Sequence, residues 1–347
     1  MSNLIIDSFF ITVLVILVCY PIAIKMRLID QPCSRKQHSG EIPLIGGVSL
    51  YFCLMIMAYW LPISNYAYLS AATLIVISGI LDDYKNISFK IRLSTEIIAV
   101  LIIIYEGGVK ITSLGDIFGF GELQLGQFST IFTIFAVVGG INAFNMMDGI
   151  DGLAGSLAVI ILSLILLSSF GNENIMMLCL ILISSIMAFL AFNLRLFKRQ
   201  HAVIFLGDTG SMLIGFSISY LVVLISQAEI NAINPVTALW IMALPLVDAV
   251  AVILRRLKKG SCPFSADREH LHHILPLAGY SVNQTVMIMS LLCFIFGAVG
   301  IVSDVIFDVP EWLMFYLFLL LFYVYYKWVV ISARVRYSVQ NKKVVYE

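Results

Sequence analysis

Apolar runs of roughly twenty residues recur along almost the whole chain, and the charged residues are confined to short loops between them. Such a run is what an α-helix needs to cross the hydrocarbon layer of a bilayer. The runs fall near 4–24, 44–62, 66–81, 92–106, 127–144, 153–170, 174–193, 211–227, 235–254, 284–303 and 311–331. They are apolar on all sides and lack the period-two alternation of a barrel strand. Of the 347 residues, 61% are hydrophobic and 12% charged, with a mean hydropathy of +0.99, against ~45–50% apolar in an ordinary soluble domain. The expectation is an all-α polytopic membrane protein of about eleven transmembrane helices. It forms a single domain over 1–347, with a basic tail over 332–347.

Placement of the basic residues orients the chain. Loop 25–43 carries Lys25, Arg27, Arg35 and Lys36; loop 82–92 carries Lys85, Lys90 and Arg92; loop 194–210 carries Arg195, Lys198 and Arg199. Loop 255–283 carries Arg255, Arg256, Lys258, Lys259 and Arg268, and the tail carries Arg334, Arg336, Lys342 and Lys343. With eleven crossings these 19 of 21 basic residues share one face, while Lys110 lies opposite and Lys327 within the last run. That face is expected to be cytoplasmic, with the N-terminus outside and the C-terminus inside. The first run has no basic residues before it, so it is expected to be a retained helix and not a cleaved signal. The net charge of zero gives no basis for a nucleic-acid partner. Six cysteines without CxxC spacing indicate neither a disulfide framework nor a zinc site. The glycine-rich segment 107–126, on the opposite face, reads as a small hairpin.

The polar motifs fall on the basic face. Asp82 and Asp83 end the third run; adjacent carboxylates there are either solvated or joined by a cation, and a divalent ion with phosphate oxygens is one such solution. In NAFNMMDGIDGLAG, Asn142, Asn145, Asp148 and Asp151 recur every third residue, a spacing that gathers them on one face of a helical turn. Amides and carboxylates together suit a polar ligand such as a sugar nucleotide, and a glycine-rich turn with capping aspartates is the plain alternative. FLGDTGS sets Asp208 just before the eighth helix, with Thr209 and Ser211 as candidate caps and helix-start amides that attract phosphate. DREHLHH supplies His270, His272 and His273 beside Arg255, Arg256 and Arg268, groups able to neutralise a diphosphate. Zinc competes for these histidines, but no cysteine accompanies them. His38 and His201 stand alone in loops. Asp248 lies inside the ninth run with Arg255 seven residues on, which suggests a structural pair on one face.

The ordered set LDDYKNIS, NAFNMMDGIDGLAG, FLGDTGS and PFSADREHLHH resembles the polyprenyl-phosphate N-acetylhexosamine-1-phosphate transferases, over nearly the whole chain. The DREHLHH loop and the stretch DQPCSRKQHSGEIPLIGG look like the branch that uses UDP-GlcNAc and undecaprenyl phosphate. The phospho-MurNAc-pentapeptide branch carries a PxHHH-type loop, which is missing here. The resemblance implies Mg²⁺, with Mn²⁺ as a substitute, among Asp82, Asp83 and Asp208. It implies that Asn142, Asn145, Asp148 and Asp151 shape the nucleotide-sugar site, and that Arg256, His270, His272 and His273 hold the diphosphate and sugar. Lys90 or Arg92 would meet the lipid phosphate, and a homodimer is in keeping with the family. Glu269 and Leu271 depart from the expected spacers of the histidine loop. Such an enzyme would transfer GlcNAc-1-phosphate at the inner membrane and release UMP, in the first membrane step of a cell-surface polysaccharide of the O-antigen type. A phosphate monoester, with its second pKa near ~6, is already mostly dianionic at neutral pH, so direct attack, assisted by Asp83, is favoured over a covalent aspartyl intermediate. The same chemistry on another UDP-N-acetylhexosamine is the near alternative. A transporter or flippase is the distant one, disfavoured because the acidic motifs sit at helix ends rather than at the midplane.

Overall fold

A computed structural model describes residues 2–30, 40–60, 66–195, 199, 201–227, 232–261 and 269–344. Arg35, Lys36, His38, Lys198, Asp267 and Arg268, with Cys33 and Cys262, lie outside them, as do the side chains of the basic tail. The helices are α1 (Ser2–Met26), α2 (Gly46–Met57), α3 (Tyr66–Lys85), α4 (Phe89–Tyr105), α5 (Ser129–Met147), α6 (Leu153–Ser168), α7 (Glu173–Asn193), α8 (Gly207–Ser226), α9 (Pro235–Ile241), α10 (Ala243–Lys258), α11 (Leu271–Leu277), α12 (Val282–Ile301) and α13 (Glu311–Val344). A two-residue ribbon pairs β1 (Ile29–Asp30) antiparallel with β2 (Ile42–Pro43). Helices prevail because a backbone in lipid must satisfy its own hydrogen bonds.

Every expected run is helical, but not every one is of spanning length. Among the described residues seven helices are long and apolar enough to cross a membrane, or up to eight if a bent pair is one span. The protein is a multi-pass membrane protein. The runs at 44–62 and 153–170 hold only the shorter apolar helices α2 and α6, and α4 has 17 residues. The expected single span at 235–254 is instead α9 and α10, bent by 78°. Pro245 explains the break: it has no N–H to return to the carbonyl of Ile241, one helical turn earlier.

At the centre stands α8, nearly all of whose residues are buried. It packs against α2, α3, α5 and α6. Small residues permit this closeness: a Cβ on Gly47 would run into the backbone of Gly210, and one on Gly79 into that of Thr209. Exposed Phe10, Leu14 and Leu17 of α1, Leu291 and Phe294 of α12, and Leu320 and Val324 of α13 form the outer, lipid-facing wall. The approach to α2 is tied to the approach to α8, with Phe205 N donating to Pro43 O and Gly46 N to Phe205 O. The expected hairpin is present, with a bridge between Ser113 and Gln124. Gln227, at the end of α8, accepts hydrogen bonds from the amides of Thr112 and Ser113.

Candidate active site

Asp208 is the hub. The helix start lies earlier than the sequence suggests: α8 begins at Gly207, so Asp208 occupies its first turn. Its Oδ1 accepts Asn145 Nδ2 at 2.6 Å and lies 3.8 Å from Arg92 Nη1. The same arginine nitrogen donates to Asp82 Oδ2 at 3.0 Å. Asp208 is the open member of the set, 37% exposed against 9% for Asp82. Thus the ends of α3, α4, α5 and α8 meet at one point.

The cap of α8 comes from another helix. Thr209 and Ser211 do not cap it; Asp83 does, accepting Asp208 N at 2.8 Å, Thr209 N at 3.1 Å and Thr209 Oγ1 at 2.6 Å. Gly207 has φ +73°, and its missing Cβ leaves room for the Asp83 carboxylate. Both oxygens of Asp83 are therefore engaged in holding α8. Asp83 thus holds the start of α8, and the amides of Asp208 and Thr209 are taken by its carboxylate and not open to phosphate.

The three-residue spacing holds for one helical turn only. Asn142 and Asn145 project from α5 on one face: Asn142 Nδ2 donates to Glu96 Oε2 at 2.6 Å, and Asn145 reaches Asp208. The helix then ends at Met147, leaving Asp148 and Asp151 in the turn that follows. Asp151 accepts Arg195 Nε at 2.8 Å and Ala202 N at 3.1 Å, which anchors the segment before α8. Asp148 is accessible to solvent at its outer edge. Burial on its inner side, then the like charges of Asp208, Asp83 and Asp151, push its carboxyl up to about 8. Around it stand three other carboxylates, against Arg92 near Asp208 and Arg195 on Asp151.

The histidine loop closes on this turn. A Cβ on Gly149 would collide with His272 Nε2, so the imidazole lies directly over the glycine. His270 and His272 stack, their rings 5.4 Å apart and 7° from parallel, and His273 tilts against His272 at 4.2 Å. Desolvation, then the neighbouring His273 and His270, hold the His272 pKa well below the usual histidine range. That direction disfavours a positive charge on His272. Arg256 is buried at the end of α10. The expected Asp248–Arg255 pair is not formed. Asp248 turns to His270, and Arg255 with Lys259 turns to Glu269. Lys90 is exposed, in contrast to Arg92 at the hub. His201 is half-buried, and its Nδ1 has no hydrogen-bond partner among the described residues.

Glu96 escaped the sequence analysis. It is fully buried, 3.8 Å from Arg92 Nε through Oε1, and holds Asn142 in place. Its signal was an acidic residue inside an apolar run, four residues after Arg92.

The carboxylate oxygens of Asp82 and Asp208 at the hub are of the kind a hard divalent cation takes. Among the described residues, no three His, Cys, Asp or Glu side chains converge on one point as they stand. An ion bound there would be held by one or two carboxylates and would take its remaining ligands from substrate phosphates and water.

Fold and site define a multi-pass membrane protein built around a carboxylate cluster at one end of its helices. Residues 65–226 match the family model "Glycosyl transferase family 4". Along its length the chain is similar to the undecaprenyl-phosphate alpha-N-acetylglucosaminyl 1-phosphate transferases of several bacteria. That of Escherichia coli (strain K12) is 39% identical over 330 residues, covering 93% of this chain and 89% of the relative. That of Yersinia pestis is 39% identical over 94% and 90%, and that of Haemophilus influenzae 39% over 90% and 89%. The chain belongs to this family of glycosyl-1-phosphate transferases.

Proposed function

We propose that the protein transfers GlcNAc-1-phosphate from UDP-GlcNAc to undecaprenyl phosphate, giving undecaprenyl-diphosphate-GlcNAc and UMP. The observation that carries this reading is the convergence of Asp82, Arg92, Asn145 and Asp208 from four helix ends, in a chain similar to transferases of that name along most of its length. A donor that is water-soluble and an acceptor buried in lipid meet naturally at helix ends beside the interface.

An oxygen of the lipid phosphate attacks the β-phosphorus of UDP-GlcNAc. The bond from that phosphorus to the oxygen bridging the two phosphates breaks, and UMP leaves with its electron pair. The dianionic acceptor needs no base, so the residues chiefly position and neutralise. Asp208 and Asp82, with Asn145, would hold Mg²⁺, and Asp83 would keep the α8 turn in place for them. When bound, the ion supplies charge neutralisation and orientation of the diphosphate. Arg92 shares the negative charge of the hub, and Lys90, exposed near the start of α4, is placed to draw in the lipid phosphate. Asp148, Asp151, Asn142 and Gly149 frame the nucleotide-sugar side, while Arg256 with His270 and His273 grip the diphosphate. We also propose that the eleven apolar runs each cross the inner membrane, short ones included, with the site facing the cytoplasm. The strong bias of basic residues to this end supports that orientation.

The test is UMP release by the purified chain in detergent. It should require UDP-GlcNAc, undecaprenyl phosphate and Mg²⁺ together. Release with UDP-GalNAc in preference to UDP-GlcNAc would reassign the sugar, and absence of release with every sugar nucleotide would overturn the reading.

A further inference from the structure

Away from the carboxylate hub lies a second buried cluster, of which the proposed reaction uses only His270. Asp248 of α10 is fully buried and accepts three hydrogen bonds. His270 Nδ1 lies 2.7 Å from its Oδ2, Leu271 N donates to its Oδ1 at 3.0 Å, and Tyr325 Oη donates to the same oxygen at 2.7 Å. Tyr325 belongs to the last helix, 77 residues along the chain. A cap for α11 would need only the Leu271 bond. The two further partners serve to fix the histidine and the carboxylate.

The loop is fixed on its other side as well. Glu269 pairs with Arg255 and Lys259, so three successive residues, 269 to 271, are each tied to α10. A buried carboxylate without a full set of donors is costly, so Asp248 demands the proton of His270 at Nδ1. Nε2 is then the nitrogen left for a substrate oxygen, the logic by which a buried aspartate orients a working imidazole. His270 stacks on His272, which lies over Gly149 in the turn after α5. The orientation of one ring is thereby passed to the nucleotide-sugar side of the cleft.

We infer that Asp248 and Tyr325 are positioning residues for the transfer: Asp248 sets the tautomer and plane of His270, and Tyr325 holds Asp248 for that task from the last helix. This rests on the reading that His270 grips the donor's diphosphate. Neither residue touches the substrate.

The experiment is a double-mutant cycle in the full-length protein, read as kcat and KM for UMP release. Tyr325→Phe removes one hydroxyl and keeps the packing. It should lower kcat/KM for UDP-GlcNAc about fivefold, the scale of one hydrogen bond lost to a charged group's support, and leave the KM for undecaprenyl phosphate unchanged. In a His270→Ala background the same change should have no further effect. Asp248→Asn, which can still cap Leu271 but presents an amide N–H to His270, should lower kcat/KM more than Tyr325→Phe at an unchanged thermal midpoint. Equal effects of Tyr325→Phe with and without His270 would overturn the inference, because a merely structural bond is additive. So would full activity of Tyr325→Phe or of His270→Ala. Failure of the wild-type chain to release UMP would instead defeat the functional reading beneath it.

Discussion

Two aspartates on two helices behave in opposite ways. Asp208 lies at a helix start, is more than a third exposed, and shares one arginine with Asp82 among four carboxylates. Asp248 lies inside a helix, is fully buried, and has both oxygens satisfied by three donors from two other segments. The first cluster is short of positive charge and open; the second is balanced and closed. Residue type therefore does not set the two apart, whereas charge at an accessible helix end does, and such charge is the mark of a candidate functional group.

The comparison breaks most sharply at Asp208. Asp208→Asn keeps an acceptor for Asn145 but removes the open charge. Transfer should fall about 10³-fold, the scale of one well-placed charge on a transition state, with no drop in thermal midpoint. A variant with a tenth of wild-type UMP release would show that the hub is not where the ion or substrate is held. Asp83→Ala should differ in kind. It should lose activity and also about 1–2 kcal/mol of stability, as removal of a helix cap does, seen as a lowered thermal midpoint in detergent. An unchanged midpoint would return Asp83 to the reacting groups.

Gly149→Ala tests the seam between the two clusters. The new methyl would strike the His272 ring, and overpacking of this kind costs about 1–3 kcal/mol. Activity should drop about tenfold through weaker UDP-GlcNAc binding, with the KM for undecaprenyl phosphate unchanged. A wild-type KM for the nucleotide would show that the histidine loop and the Asp148 turn act independently.

Why the sequence revealed one cluster better than the other follows from how each is built. Asp82, Asn145 and Asp208 stood out because polar residues at the ends of apolar runs are costly to keep idle, and the structure brings them together. Arg92 was assigned to the lipid phosphate by likeness of motif, and its contacts with Asp82 and Asp208 required the fold. Asp83 was visible as a carboxylate but not as a cap, since the amides it holds lie 125 and 126 residues away. Asp248 was paired with Arg255 on helical periodicity, which ranks partners on one helix and is blind to His270 and Tyr325. Each run holds a helix, but the short α11 lies in a stretch that reads as a loop. Run lengths were misjudged where a proline broke one and where tertiary pairing at Phe205 delayed the start of another.

The smallest predicted effect tests whether the open cluster is short of positive charge. Unfolded, the Asp148 carboxyl releases its proton near the ordinary value of about 3.9; folded, burial and then the like charges of Asp208, Asp83 and Asp151 raise it to about 8. Between these values the native state binds more protons than the unfolded one, so wild-type stability falls as pH rises. Asp148→Asn carries no such dependence. In magnesium-free detergent its thermal midpoint, measured relative to wild type, should climb from about pH 5.5 to about pH 8 and level off beyond, and added Mg²⁺ should shrink the difference by neutralising the cluster. A difference that stays flat across that range would mean that solvent already screens Asp148. The contrast between an open, charge-starved hub and a closed, balanced one would then rest on Asp208 alone.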